Sequence, residues 1–194
     1  MEKYKSEIEL SIDTGDEETD SIIHELLASL SLEELLEKTL REAGISQAAL
    51  VTLVVTEDAM MQDLNKRYRQ QDKPTDVLSF PLLDKPLVKA PDDQLWAFAE
   101  GNNGEVSAET SNLPKFITPS ELPLNLGDIV ISWPTVVRQA AQAGHTPAYE
   151  LLYLFAHGIL HLVGYDDATE AGYSAMVNLQ RAVLEAMGWK AQNQ

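Results

Sequence analysis

The sequence predicts an α+β fold, a single domain with one small mixed β-sheet packed by helices. Three observations carry this. Short β-rich runs alternate with segments whose apolar residues recur at helical spacing. The C-terminal third reads as helix throughout. No linker divides the 194 residues into two self-sufficient cores, so residues 1–194 are expected to form one domain.

The elements follow in order. Ile8, Leu10 and Ile12 alternate with polar residues, as in a half-buried strand. An acidic, solvated loop is expected near residues 13–20, where Asp13, Asp16, Glu17, Glu18 and Asp20 cluster with no basic residue among them. Residues 22–41 carry helical periodicity, and Gly44 is a stop. The run ending at Thr56 is β-branched and reads as a buried strand. A helix is expected over 58–68, then a loop over 69–77 in which Pro74 forbids helix. VLSF reads as a strand closed by Pro81. Residues 84–125 are rich in Pro, Asn, Ser and acid, with scattered apolar residues such as Trp96 and Phe98. They read as a surface insertion, partly disordered. A strand returns after Gly127, and Pro134 opens a helix to about Ala143. Further helices are expected from Pro147 to Leu162, ended by Gly164, and from Thr169 to Met187, ended by Gly188.

A net charge of −17 argues against a general nucleic-acid binder, since phosphate contacts need clustered Lys and Arg. There is no cysteine, which excludes thiolate metal sites and disulfides. The first residues lack the apolar stretch of a secretory signal, and no apolar run is long enough to span a bilayer. A cytoplasmic enzyme or binding protein is expected.

The densest chemical signal is His157-Gly-Ile-Leu-His161-Leu-Val-Gly164-Tyr-Asp-Asp167. Residues four apart on a helix share a face, so the two imidazoles can converge on one ion. Gly164 permits a sharp turn that brings Asp167 back towards them. Two nitrogens, one carboxylate oxygen and an open position for water is the pattern of catalytic zinc. The plainer reading is of unlinked histidines, with Asp166 or Asp167 merely capping the last helix. The chain has only four histidines, and two of them share this face. The spacing also resembles the metzincin protease pattern, but Gly158 stands where that pattern has its general-base Glu, which counts against peptide hydrolysis.

Four further stretches extend the pattern: DKPTDVLSFP (72–81), LGDIVIS (126–132), GHTPAYELLYLFAHGILHLVGYD (144–166) and the closing AMGW. Together they resemble the YbeY family, bacterial and organellar endoribonucleases of ribosomal RNA maturation. The resemblance spans nearly the whole chain outside the acidic loop and the insertion. It implies a single-strand-specific, metal-dependent endoribonuclease acting in 3′ end maturation of small-subunit ribosomal RNA and in ribosome quality control. It implies one zinc ion as cofactor. Its implied partners are the ribosomal RNA precursor and the small ribosomal subunit, with ribosomal proteins or assembly GTPases, and no membrane. The family's motif has a third histidine where this chain has Asp167. A carboxylate ligand lowers the charge of the site, so the metal should be a weaker Lewis acid and its preference should drift towards harder ions.

The resemblance also aligns Arg69 with an arginine the family needs for activity, and a guanidinium suits a phosphate. The plainer reading pairs Arg69 with Asp72. Lys73 is either a second phosphate contact or a solvated lysine. Asp76 and Ser79 are expected to fix the loop and strand, and Asp128 to cap a strand entry or support the metal site. His145 and Tyr165 are expected to be structural, and Trp133 and Trp189 to be anchors. Two rival functions remain at this level: a metalloprotease-like hydrolase, and a non-catalytic ribosome-assembly factor with a structural metal.

Overall fold

A computed structural model describes residues 5–97 and 122–190. The expected mixed sheet is present, in the order β1-β2-β4-β3. Strands β1 (Glu7–Asp13), β2 (Ala49–Thr56) and β4 (Leu124–Ser132) run parallel, and β3 (Val77–Pro81) runs antiparallel beside β4. Six α-helices complete the α+β arrangement among the described residues: α1 (Glu17–Ser29), α2 (Leu32–Glu42), α3 (Asp58–Arg69), α4 (Trp133–Ala143), α5 (Pro147–Val163) and α6 (Glu170–Ala186).

The main core lies between one sheet face and helices α2, α5 and α6. Val51, Leu53, Val55, Ile129 and Ile131 meet Leu35, Leu36, Leu151, Phe155 and Ile159, all fully buried. Each such side chain contributes roughly 1.5–3 kcal/mol on burial. The opposite face carries a smaller cluster, Met61 of α3 against Leu78 and Val130. Helix α5 runs through the middle of the main core and is buried along most of its length, so the histidines it carries are held by a rigid element.

Three expectations change. The helix expected over 22–41 is two helices, because Leu30 is extended at φ −97° and ψ 142°. The apolar spacing explains the break. Ile23 and Leu27 share one helix face, but Leu32 falls roughly 140° further round than Leu27. A single straight helix could not bury both sets.

Most of the acidic stretch is not a loop. Asp16 caps α1 by accepting from Thr19 N at 3.1 Å, and Glu17, Glu18 and Asp20 fill the first turn. Carboxylates are favoured there by the helix dipole.

The insertion expected over 84–125 is ordered in part. Residues 92–94 form a 3-10 turn, and the chain from Pro86 to Trp96 lies against the end of α5. Strand β4 begins at Leu124, and Gly127 sits within it at φ +122° as part of a bulge. A Cβ there would lie 2.1 Å from Phe80 O, which only glycine tolerates. Residues 98–121 of the expected insertion, Phe98 included, lie outside the described residues.

Candidate metal centre

The helix spacing and the glycine turn do what the sequence implies. His157 and His161 lie one turn apart on α5 with Nε2 atoms 2.9 Å apart. Gly164 ends the helix at φ +128°, and the chain turns so that Asp167 reaches back. Its Oδ2 lies 3.6 Å from His157 Nε2, and its Oδ1 lies 3.8 Å from His161 Nε2. The capping alternative does not hold for Asp167. Thr169 caps α6, accepting from Gly172 N at 3.0 Å, and Asp166 accepts from Ala168 N.

The outer partners fix both rings. Tyr165 O can only accept, so His161 Nδ1, at 2.9 Å, carries the proton. Gln180 Nε2 donates to Tyr153 O at 3.2 Å, which turns its Oε1 towards His157 Nδ1 at 3.4 Å. Both Nε2 atoms are then left as lone-pair donors aimed at one another. Burial, and then the neighbouring His157, push the His161 imidazole down to about 4 against the pull of Asp167, so it is neutral at neutral pH. Two facing lone pairs at 2.9 Å repel unless a cation lies between them and the carboxylate. The donor atoms of His157, His161 and Asp167 all fall within 4.8 Å of one another. Two imidazoles and a carboxylate fit a divalent transition metal.

These groups line a cleft of about 260 Å³. Arg69 stands on its rim, at the last turn of α3. The helix stops there because Gln70 adopts a left-handed conformation, and buried Asn65 donates to Lys73 O at 2.8 Å to hold the following loop. The pairing with Asp72 is not formed. Asp72 is taken by Lys66 at 2.6 Å and Gln62 at 2.8 Å. A larger concavity of about 320 Å³, between the start of β1 and the end of α2, contains no histidine.

The family model for endoribonuclease YbeY matches residues 10–188. The chain belongs to that family. Among YbeY relatives, the endoribonuclease of Moorella thermoacetica is 38% identical over 164 residues, covering 84% of this chain and 88% of the relative. That of a Roseiflexus species is 36% identical over 161 residues, covering 82% and 84%. That of Bacillus cereus is 33% identical over 172 residues, covering 89% and 93%. A solution structure from Thermotoga maritima covers 92% of this chain and 91% of its own, at a TM-score of 0.46 and 21% identity.

The other sequence candidates fall as follows. Asp76 lines the cleft, but its carboxylate is occupied by Val77 N at 2.8 Å, Thr75 Oγ1 at 3.1 Å and Gln139 Nε2 at 3.0 Å. Ser79 also lines it, donating to Gly158 O at 3.4 Å. Lys73 is exposed and does not line the cleft. Asp128 is exposed within β4, pairing with Phe80 and Thr52, and supports no part of the metal site. His145 joins Glu150 at 2.5 Å, outside the cleft. Tyr165 is buried, as expected, and Trp133 and Trp189 pack against the core.

Tyr153, Tyr173, Gln180 and Trp96 are among the cleft and support residues that the sequence does not single out. Gln180 and Tyr173 sit on α6 and reach the site only because that helix packs beside α5. Tyr173 alone carried a surface signal, as an aromatic among polar residues on an amphipathic helix.

Proposed function

We propose that this chain is a metal-dependent endoribonuclease that cuts single-stranded RNA, and that its substrate is the precursor of small-subunit ribosomal RNA near the 3′ end. The observation that carries this reading is the convergence of His157, His161 and Asp167 in the cleft that Arg69 borders. The names of the relatives support RNA as the substrate class. Zinc is the proposed ion. The small ribosomal subunit, with ribosomal proteins or assembly GTPases, is the proposed partner, and the cytoplasm the proposed compartment. No helix among the described residues is long and apolar enough to cross a membrane.

The chain's own residues divide the work. His157 and His161 present their Nε2 atoms to one point, and Asp167 adds a carboxylate that draws a cation to them. An ion held there supplies Lewis acidity and makes water a better nucleophile at neutral pH. Arg69, exposed at the rim, pairs with a phosphate oxygen and stabilises charge developing on phosphorus. Tyr173, 57% exposed on the α6 wall, offers its ring face to a nucleobase. Gly158 leaves the metal helix without the carboxylate a peptide hydrolase would use.

The acidity of the chain is compatible with this reading. Lys66, Arg67, Arg69 and Lys73 are four of its 14 basic residues and fall within one short stretch, and seven of its 31 acidic residues lie apart from it on β1 and α1. Naked RNA should therefore bind weakly, with a salt dependence set by a few contacts.

The test offers small-subunit ribosomal RNA precursor and a peptide substrate, side by side, to zinc-loaded and to chelated protein. RNA should be cut by the loaded form alone, and the peptide by neither. A chelated protein that stays folded and inactive agrees with a catalytic ion, and one that unfolds would make the ion structural.

A further inference from the structure

The last turn of a helix leaves carbonyls without intrahelical partners. At the end of α5 these are met by the segment from Pro86 to Trp96. Leu87 N and Val88 N donate to Val163 O at 2.9 and 3.4 Å, and Trp96 N donates to Gly164 O at 3.0 Å. The Trp96 indole Nε1 donates to the carbonyl of His161 itself at 2.9 Å. The segment also accepts. Asp166 N donates to Gln94 O at 2.9 Å, and Thr169 Oγ1 donates to Asp93 O. Leu95 and Tyr165 pair as an antiparallel bridge. Pro86 lies so close that a Cβ on Gly164 would fall 2.5 Å from its Cβ.

Both ends of the turn that carries Asp167 are therefore tied to this one segment. The two histidines have other supports, because each ring is held through Nδ1. Asp167 has none: its side chain is 42% exposed, and among the described residues its carboxylate meets only the two imidazoles. Its place is set by its backbone alone. Tyr165, whose carbonyl receives the His161 proton, is held from α5 as well, its N donating to Leu160 O at 3.0 Å, so the His161 ring keeps a support of its own.

We propose that residues 86–96 form a positioning strap for the metal centre, with Trp96 its main contact, and that metal affinity depends on the strap through Asp167. This rests on the metal-site reading above. Trp96 is a positioning residue, since it touches the backbone of a ligand and not the ion.

Cobalt(II) titration of the full chain, followed by visible absorption, tests it in the wild type, Trp96→Phe, Asp167→Ala and the double variant. Trp96→Phe keeps a ring and loses the indole N–H. It should bind cobalt about 10-fold more weakly, within the range known for supports of metal ligands. The double variant should bind no more weakly than Asp167→Ala, within about 2-fold, because both changes act on one ligand. A purely structural role would instead make the two losses multiply.

Thr169→Asp is the second variant, for use even if Trp96→Phe does not fold. An aspartate still caps α6 but cannot donate to Asp93 O. Its added negative charge favours a cation, so weaker cobalt binding would trace to the released strap. Wild-type affinity in either folded single variant, or multiplying losses in the double variant, would overturn the strap. A wild-type chain that binds no cobalt would overturn the metal reading, and the strap with it.

Discussion

Gly158 packs directly on Ile129. A Cβ added to Gly158 would lie 2.8 Å from Ile129 Cγ2 and 2.9 Å from its Cδ1. Helix α5 can approach β4 this closely only because position 158 has no side chain. The absence of a glutamate next to His157 therefore has a packing cause as well as a chemical consequence. By helix propensity alone, alanine would stabilise the helix by about 1 kcal/mol. Overpacking costs about 1–3 kcal/mol, and Ile129 is fully buried and cannot retreat. Gly158→Ala should therefore be about 1 kcal/mol less stable in urea unfolding, and Gly158→Glu should not fold. A stabilised alanine variant would show that the helix moves away from the sheet at little cost.

Arg69 is exposed, ends a helix and has no ion pair among the described residues. Arg69→Ala should melt as the wild type does and bind metal normally, while RNA turnover falls by about 10²–10³. Unimpaired turnover would remove Arg69 from the reaction.

The sequence carried these two residues unequally. Gly158 could be read as the missing base of a protease, but its contact with Ile129 depends on strand order, which no local pattern encodes. His157, His161 and Asp167 were legible because helix periodicity and a glycine turn are local rules. So were the strands and the mixed sheet they imply. The break at Leu30 was hidden because both halves of 22–41 have helical spacing and only the face changes. The strap was hidden for a different reason. Pro, Asp and Lys surround Leu87, Val88 and Trp96, so the composition of that segment resembles a solvated loop, while its order comes from backbone hydrogen bonds to α5.

Gln180 is fully buried on α6 and bridges His157 Nδ1 to Tyr153 O. Gln180→Met keeps the volume and removes both hydrogen bonds. The ring of His157 would lose its tautomer control, so zinc affinity should fall about 10- to 100-fold in competition with a chelating dye. Unchanged affinity would mean that helix packing alone orients the ring.

Asp58 joins α3 to the start of α4. It accepts from Ser132 Oγ at 2.5 Å, Thr135 Oγ1 at 2.9 Å and Arg138 Nη1 at 2.7 Å. Arg138 first, and then the two hydroxyls, hold its carboxyl below the ordinary value of 3.8 against the effect of burial. A depressed folded pKa contributes stability above the unfolded value and loses it as pH falls through the folded one. Asp58→Asn should thus cost about 1–2 kcal/mol at neutral pH, a figure reduced by the partial exposure of both partners. The gap should close as pH falls below 3.8. Urea unfolding across that range checks the sign, and a gap that widened in acid would contradict it.

The most direct test of the metal centre is the zinc content of the wild type, Asp167→Ala and Asp167→His after loading and exhaustive dialysis. The account predicts about one ion per chain in the wild type and in the histidine variant, and close to none in the alanine variant. Equal zinc in all three would contradict Asp167 as a ligand and, with it, the three-residue centre.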